Sequence, residues 1–117
     1  MKIYESELKI MNLLWQEGDL SAADIVQKLK DTTGWNKNTT YTVIKKLVEK
    51  GAIERIEPKF ICHALIKREE VQQLEVSELL DKLFDGSISS FFSTFLHDEK
   101  VDKKQIDELR KLIEEHS

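Results

Sequence analysis

Residues 35–53 read WNKNTTYTVIKKLVEKGAI, and at about 100° per residue they sort into a helix with one dry face and one wet face. Thr40, Val43, Ile44 and Leu47 fall on a single stripe at the i, i+3, i+4, i+7 spacing of a buried helix face. Opposite lie Asn38, Thr42 and Lys45, flanked by Thr39, Tyr41 and Lys46, and no carboxylate interrupts them before Glu49. Asn36 can cap the first turn with its side-chain oxygen, and Gly51 can take the left-handed conformation that ends a helix. A solvated helix face usually mixes signs and pairs Glu with Lys, whereas Thr and Asn are poor helix formers. Short hydroxyl and amide side chains reach base edges and phosphate oxygens, and lysine neutralises phosphate, so this face is either a nucleic-acid reader or an ordinary solvated helix face, and its neighbours must decide.

The chain before this stretch supplies two more amphipathic segments. Residues 7–16 place Leu8, Met11, Leu14 and Trp15 on one face, and Gly18 breaks the pattern. Ser21 with Asp24 has the spacing of a capping box and opens a second helix through Lys30, with Ala22, Ile25, Val26 and Leu29 inward. The polar turn DTTGWN leads into the opening stretch, with Trp35 wedged between helices. Two helices joined by a short turn, the second one basic, predict a helix-turn-helix.

After Gly51 the period changes from 3.6 to 2. Residues 52–57 and 59–65 are strand-like runs separated by the single proline, Pro58. A tight hairpin directly after a recognition helix is a wing, and it places Arg55 and Lys59 beside the sugar-phosphate backbone. The predicted fold class is mainly α with a small β-hairpin wing: a winged helix-turn-helix domain over residues 1–66, followed by a three-helix dimerisation module over 67–117.

That second half carries Val71, Leu74, Leu79, Leu80, Leu83 and Phe84 on a helix ending near Gly86. Ile88, Phe91, Phe92, Phe95 and Leu96 follow in a shorter segment. Asp102 with Gln105 then caps a last helix that turns Ile106, Leu109, Leu112 and Ile113 inward. About fifty residues in three helices cannot bury this much apolar surface alone, so a second copy of the chain is the predicted cover. Leu74, Leu79, Leu83, Phe84, Phe91, Phe92, Phe95, Leu109, Leu112 and Ile113 are the expected dimer contacts. Packing back on the N-terminal domain as a monomer is the other arrangement.

Composition narrows the function classes. Of 117 residues, 40% are hydrophobic and 34% charged, with no apolar run near the ~18 residues of a membrane span. No signal pattern opens the chain, so a cytoplasmic protein without direct membrane insertion is expected. One cysteine, Cys62, cannot form an internal disulfide. The net charge of -4 is unevenly spread: residues 1–66 carry ten Lys or Arg against nine Asp or Glu, and residues 67–117 carry eight against thirteen. From Asn36 to Lys59 the count is six basic to three acidic. His63, His97 and His116 are far apart, Cys62 and His63 point to opposite faces of a strand, and the four glycines are isolated. No catalytic residue, metal site or cofactor is expected, and the chain does not read as an enzyme.

Taken together, SELKIMNLLW, SAADIVQKL, WNKNTTYTVIKKLVEKG, the wing and the order of C-terminal helices resemble the penicillinase and methicillin-resistance repressors, the BlaI, MecI and CopY type of winged-helix regulators. The resemblance covers nearly the whole chain. It implies a homodimer that binds double-stranded operator DNA with dyad symmetry and represses transcription, in antibiotic-resistance systems among others, with the C-terminal helices intertwined. In members with a sensor metalloprotease, it implies cleavage at an Asn-Phe bond that aligns with Thr94 and Phe95. This chain departs from that pattern in having Thr at the first position. The paired Cys-x-Cys motifs of copper-responsive members have no counterpart after Cys62, and Tyr4 stands where the family begins its first helix with a Ser cap.

Two functional readings follow. In the first, the protein is a DNA-binding repressor, released by an upstream signal such as C-terminal proteolysis, that uses Lys37, Asn38, Thr39, Tyr41, Thr42, Lys45 and Lys46 in the major groove and Arg55 and Lys59 on the flanking backbone. Tyr41 borders the dry and wet faces and is the candidate for operator preference. The second is a protein-interaction winged helix that presents the same face to an acidic partner.

Overall fold

The computed structural model describes residues 1–96 and 102–116, and for Phe95, Leu96, Leu109 and residues 112–116 the backbone only. The element order is α1 (Glu5–Glu17), β1 (Leu20–Ser21), α2 (Ala22–Thr33), α3 (Lys37–Glu49), β2 (Ile53–Ile56), β3 (Ile61–Ala64), α4 (Arg68–Leu83), α5 (Ile88–Leu96) and α6 (Lys103–His116). The chain forms two compact units, Met1–Glu75 and Val76–Ser117, whose division falls inside α4.

In the first unit, three helices close over one apolar core. The predicted stripe of α3 is buried in full: Thr40, Ile44 and Leu47 are completely covered and Val43 nearly so. Ala22, Ile25 and Leu29 of α2 pack into the same core, while Val26, expected inward as well, is only half-buried. On α1 the inward face is rotated from the sequence reading. Ile10, Met11 and Leu14 are buried, whereas Leu8 and Trp15 are half-covered. Trp15 instead uses its polar edge, donating from Nε1 to the carbonyl of Ile66 at 2.9 Å. That hydrogen bond is the usual requirement of a partly buried indole.

Cap chemistry sets the helix ends. Asn36 Oδ1 accepts from the Thr39 amide at 2.8 Å, and Ser21 Oγ from the Asp24 amide at 3.1 Å. At the end of α3, Gly51 adopts φ 81° and the amides of Gly51 and Ala52 return to the carbonyls of Val48 and Leu47. This left-handed closure turns the chain directly into the sheet. The turn proposed at 31–36 is shorter than expected, because α2 runs on to Thr33 and ends at Gly34, φ 73°. Asp102 and Gln105 form both halves of a capping box at α6, with bonds of 2.8 and 3.3 Å.

The wing is present as an antiparallel β2–β3 hairpin, with Ile53 opposite Ala64 and Ile56 opposite Ile61. A third strand joins it: Leu20 and Ser21 pair with Cys62 and Ile61, giving the order β1-β3-β2. A two-residue strand is too short to show a period, which is why the sequence pattern concealed it. Alternation along β3 buries Cys62 and exposes His63, as the strand period requires.

In the second unit, Leu80 is buried while Leu79, Leu83 and Ile88 remain exposed. Phe84 and Phe91 meet edge to face with centroids 5.4 Å apart, and Phe91 meets Phe92 at 5.7 Å. The side chains of Phe95, Leu109, Leu112 and Ile113, named above as dimer contacts, lie outside the described residues, as does His97. No helix among the described residues is long and apolar enough to cross a membrane.

Candidate nucleic-acid interface

The outward face of α3 is built from the side chains left over once its core stripe is buried. Lys37, Asn38, Thr39, Thr42, Lys45 and Lys46 are all exposed, and Tyr41 is half-buried. Asn38, Thr42 and Lys45 lie near the middle of this face. Thr42 Oγ1 donates to the Asn38 carbonyl at 2.8 Å, so its hydroxyl proton is committed to the helix. What remains toward solvent is a pair of acceptor lone pairs and a methyl group. Such a side chain can accept from an exocyclic base amine or contact a thymine methyl.

One flank of this face borders α1. Lys46 lines a shallow cleft there with Tyr4, Ser6, Glu7, Glu49 and Lys50. Glu7 is a nearly buried carboxylate, and its Oε1 accepts from Lys50 Nζ at 2.7 Å and from the Tyr4 amide at 2.9 Å. The second bond caps α1 without a Ser: the side chain three residues into the helix reaches back to the cap amide, which is half of a capping box. Lys50 also donates to the Lys2 carbonyl at 2.9 Å and lies over the Tyr4 ring at 5.1 Å. Of the two neighbouring lysines, Lys50 is therefore a structural cation, while Lys46 is exposed to solvent.

The other flank meets the wing. The Tyr41 ring tilts against Phe60 with centroids 5.9 Å apart, and the Lys37 ammonium lies 5.9 Å from the Tyr41 ring one helical turn earlier. Arg55 places its guanidinium carbon 3.7 Å from the Phe60 centroid and pairs with Glu57. Lys59 is exposed in the four-residue turn between β2 and β3. The structure thus brings Tyr41 and Arg55, named separately from the sequence, onto one aromatic ring. Phe60 and Glu57 escaped notice because their contacts cross between elements. An aromatic side chain in an otherwise polar turn was the available signal.

Two titratable groups lie next to each other on β3. His63 Nδ1 is 2.7 Å from Asp19 Oδ1, and that hydrogen bond, with the carboxylate charge behind it, raises the imidazole pKa above its ordinary value. Burial pushes the Cys62 thiol up to about 11, against the opposing charge of Arg55. A thiol so protonated is a core hydrophobe and a poor nucleophile.

Comparison with known proteins agrees with this layout. The penicillinase repressor family model matches residues 3–115. A penicillinase repressor from Bacillus licheniformis is 23% identical over 117 residues, covering 98% of this chain and 91% of the relative. The methicillin resistance regulatory protein MecI of Staphylococcus aureus is 25% identical, with 96% and 93% covered. A penicillinase repressor from the same species is 26% identical, with 100% and 94% covered. With a three-helix core, a wing and a match across nearly the whole chain, the protein belongs to the penicillinase repressor family.

Proposed function

We propose that the protein is a homodimeric transcriptional repressor that binds a dyad-symmetric operator, laying α3 in the major groove and the β2–β3 wing along the flanking backbone. The observation that carries this reading is the outward face of α3, where six exposed polar or basic side chains precede Glu49, the first carboxylate of the helix. Lys37, Lys45 and Lys46 neutralise phosphates, Asn38, Thr39 and Thr42 reach base edges, and Arg55 and Lys59 hold the backbone beside them. The names of the relatives support repression as the outcome.

Dimerisation through the C-terminal helices is supported by Leu74, Leu79, Leu83 and Ile88, which are between 39% and 63% exposed within the chain. Leu79 and Leu83 stand one turn apart on α4, and exposed apolar side chains that adjoin in this way favour cover by a partner. Release by a sensor metalloprotease would act at the Thr94–Phe95 bond, which lies inside α5. Thr94 Oγ1 donates there to the Ser90 carbonyl at 3.2 Å. Proteases take extended substrates, so cleavage at this bond requires α5 to unwind first.

The test is selection of bound duplexes from a pool with a randomised central segment. A repressor enriches a two-half-site sequence and binds it ~10³-fold or more tightly than random duplex at physiological salt. Equal binding to every duplex would sink the reading and favour an acidic protein partner for the same face.

A further inference from the structure

Phe60 joins three parts of the winged helix. Its carbonyl accepts from the Ala22 amide at 2.9 Å, tying the wing turn to the first residue of α2. Its ring rests against Tyr41 of α3 on one side and carries the Arg55 guanidinium of β2 at 3.7 Å. Its backbone has φ 50°, the left-handed region that costs a bulky residue conformational energy. Glycine or asparagine would fit that backbone with less strain, but neither offers an aromatic face.

We propose that Phe60 is a positioning residue for DNA binding: its ring, buttressed by Tyr41, holds the Arg55 guanidinium in place on the wing before a duplex arrives. The inference rests on the reading given under Proposed function. A free arginine side chain on a strand samples many rotamers and loses them when it docks on phosphate. Stacked on Phe60 and paired with Glu57, Arg55 has given up part of that freedom before binding. The flat guanidinium suits an aromatic face better than an ammonium does. Phosphate then replaces or joins Glu57 at a cation whose position is set. Because Tyr41 supports the same ring, the recognition helix and the wing cation reach the duplex with a fixed offset.

The test uses the full chain and the duplex enriched from the random pool. Phe60→Leu keeps apolar bulk but removes the ring face, and weakens binding about three- to tenfold with the salt slope unchanged, since no cation is lost. Arg55→Ala weakens binding and also lowers the salt slope by about 0.9. In the Arg55→Ala background, Phe60→Leu costs less than about twofold more, because the group that it positions is gone. Phe60→Tyr keeps the ring and the affinity. Arg55→Lys keeps the charge and the slope but loses the stack, and weakens binding. Independently of DNA, the Arg55 side-chain protons show upfield ring-current shifts in the wild-type NMR spectrum that vanish in Phe60→Leu. Additive losses in the double variant, full affinity in Arg55→Lys, or unshifted Arg55 protons in the wild type overturn the proposal while leaving the repressor reading intact. Failure of the wild type to enrich any duplex removes that reading and this proposal with it. Should Phe60→Leu prove unfolded by circular dichroism, Arg55→Lys and the wild-type shifts still decide.

Discussion

Lys50 closes on Glu7 across the first unit, its ammonium 2.7 Å from Oε1 of a carboxylate that is only 4% exposed. The pair ties the end of α3 to the start of α1, and Glu7 also caps α1 through the Tyr4 amide. Removing Lys50 leaves that carboxylate buried with one amide partner. Lys50→Met therefore destabilises the protein by about 2 kcal/mol, below the range for fully buried pairs because Lys50 is about a quarter exposed. Adding Glu7→Gln to that variant recovers part of the loss by removing the unpaired charge. Urea unfolding midpoints measure both; a Lys50→Met midpoint equal to wild type would show that the pair contributes nothing.

If α3 lies in the major groove as proposed, Lys46 and Thr42 on its exposed face play separable parts. Lys46→Ala weakens binding to all duplexes and lowers the salt slope by about 0.9 for the lost phosphate contact. Thr42→Val keeps shape and methyl group but removes the acceptor oxygen, so it alters base preference more than overall affinity. Titrations on the enriched duplex and its single-base variants distinguish the two, and identical profiles for both variants would refute the assignment.

The His63–Asp19 bridge gives a stability term with a definite sign. The folded pKa of His63 lies above its ordinary value of 6.5, so the bridge stabilises fully below that value and is lost as pH rises through the folded pKa. Wild type and His63→Gln therefore differ most in thermal midpoint below pH 6.5 and converge as pH rises through the folded pKa above it. A difference that grows with pH would contradict the bridge.

Cys62, wholly buried and with its thiol pushed up to about 11, resists alkylation in the folded protein at pH 8. Iodoacetamide labels it only in urea, and labelling in native buffer at the rate of a free thiol would show that the strand opens. Cys62→Ser places an unpaired hydroxyl in the core and costs about 1–3 kcal/mol.

If the C-terminal helices join two copies, a chain ending after Glu75 is folded but monomeric. That end point keeps Val71, which is 5% exposed in the first core, and Ile66, the partner of Trp15. Its affinity for a duplex with two half-sites falls about 10²- to 10⁴-fold through loss of linkage. Sedimentation and titration check both statements, and a truncated chain with full affinity would exclude the dimer.

The stripe of α3, the caps at Ser21 and Asn36 and the stop at Gly51 were legible because each depends on residues within one helical turn. Periodicity fixes the buried face, and a side-chain oxygen or a glycine fixes the end. The wing was legible from the change of period, and the basic cluster from the count of charges between Asn36 and Lys59. Contacts between distant residues were not. Nothing local marks Glu7 as buried, since its partner lies 43 residues away. β1 exists only because β3 supplies its hydrogen bonds, and Ile10 rather than Leu8 faces inward because of how α1 lies on α2 and α3. Phe60 read as part of the strand-like run 59–65 until the fold put it in the turn before β3, between Tyr41 and Arg55. By itself the sequence determined the dry stripe of α3 and the polar and basic make-up of its outward face, because those properties follow from side-chain order along one element. Only the tertiary structure decided which cation is tied down and which is free, because that depends on what folding brings across from another element.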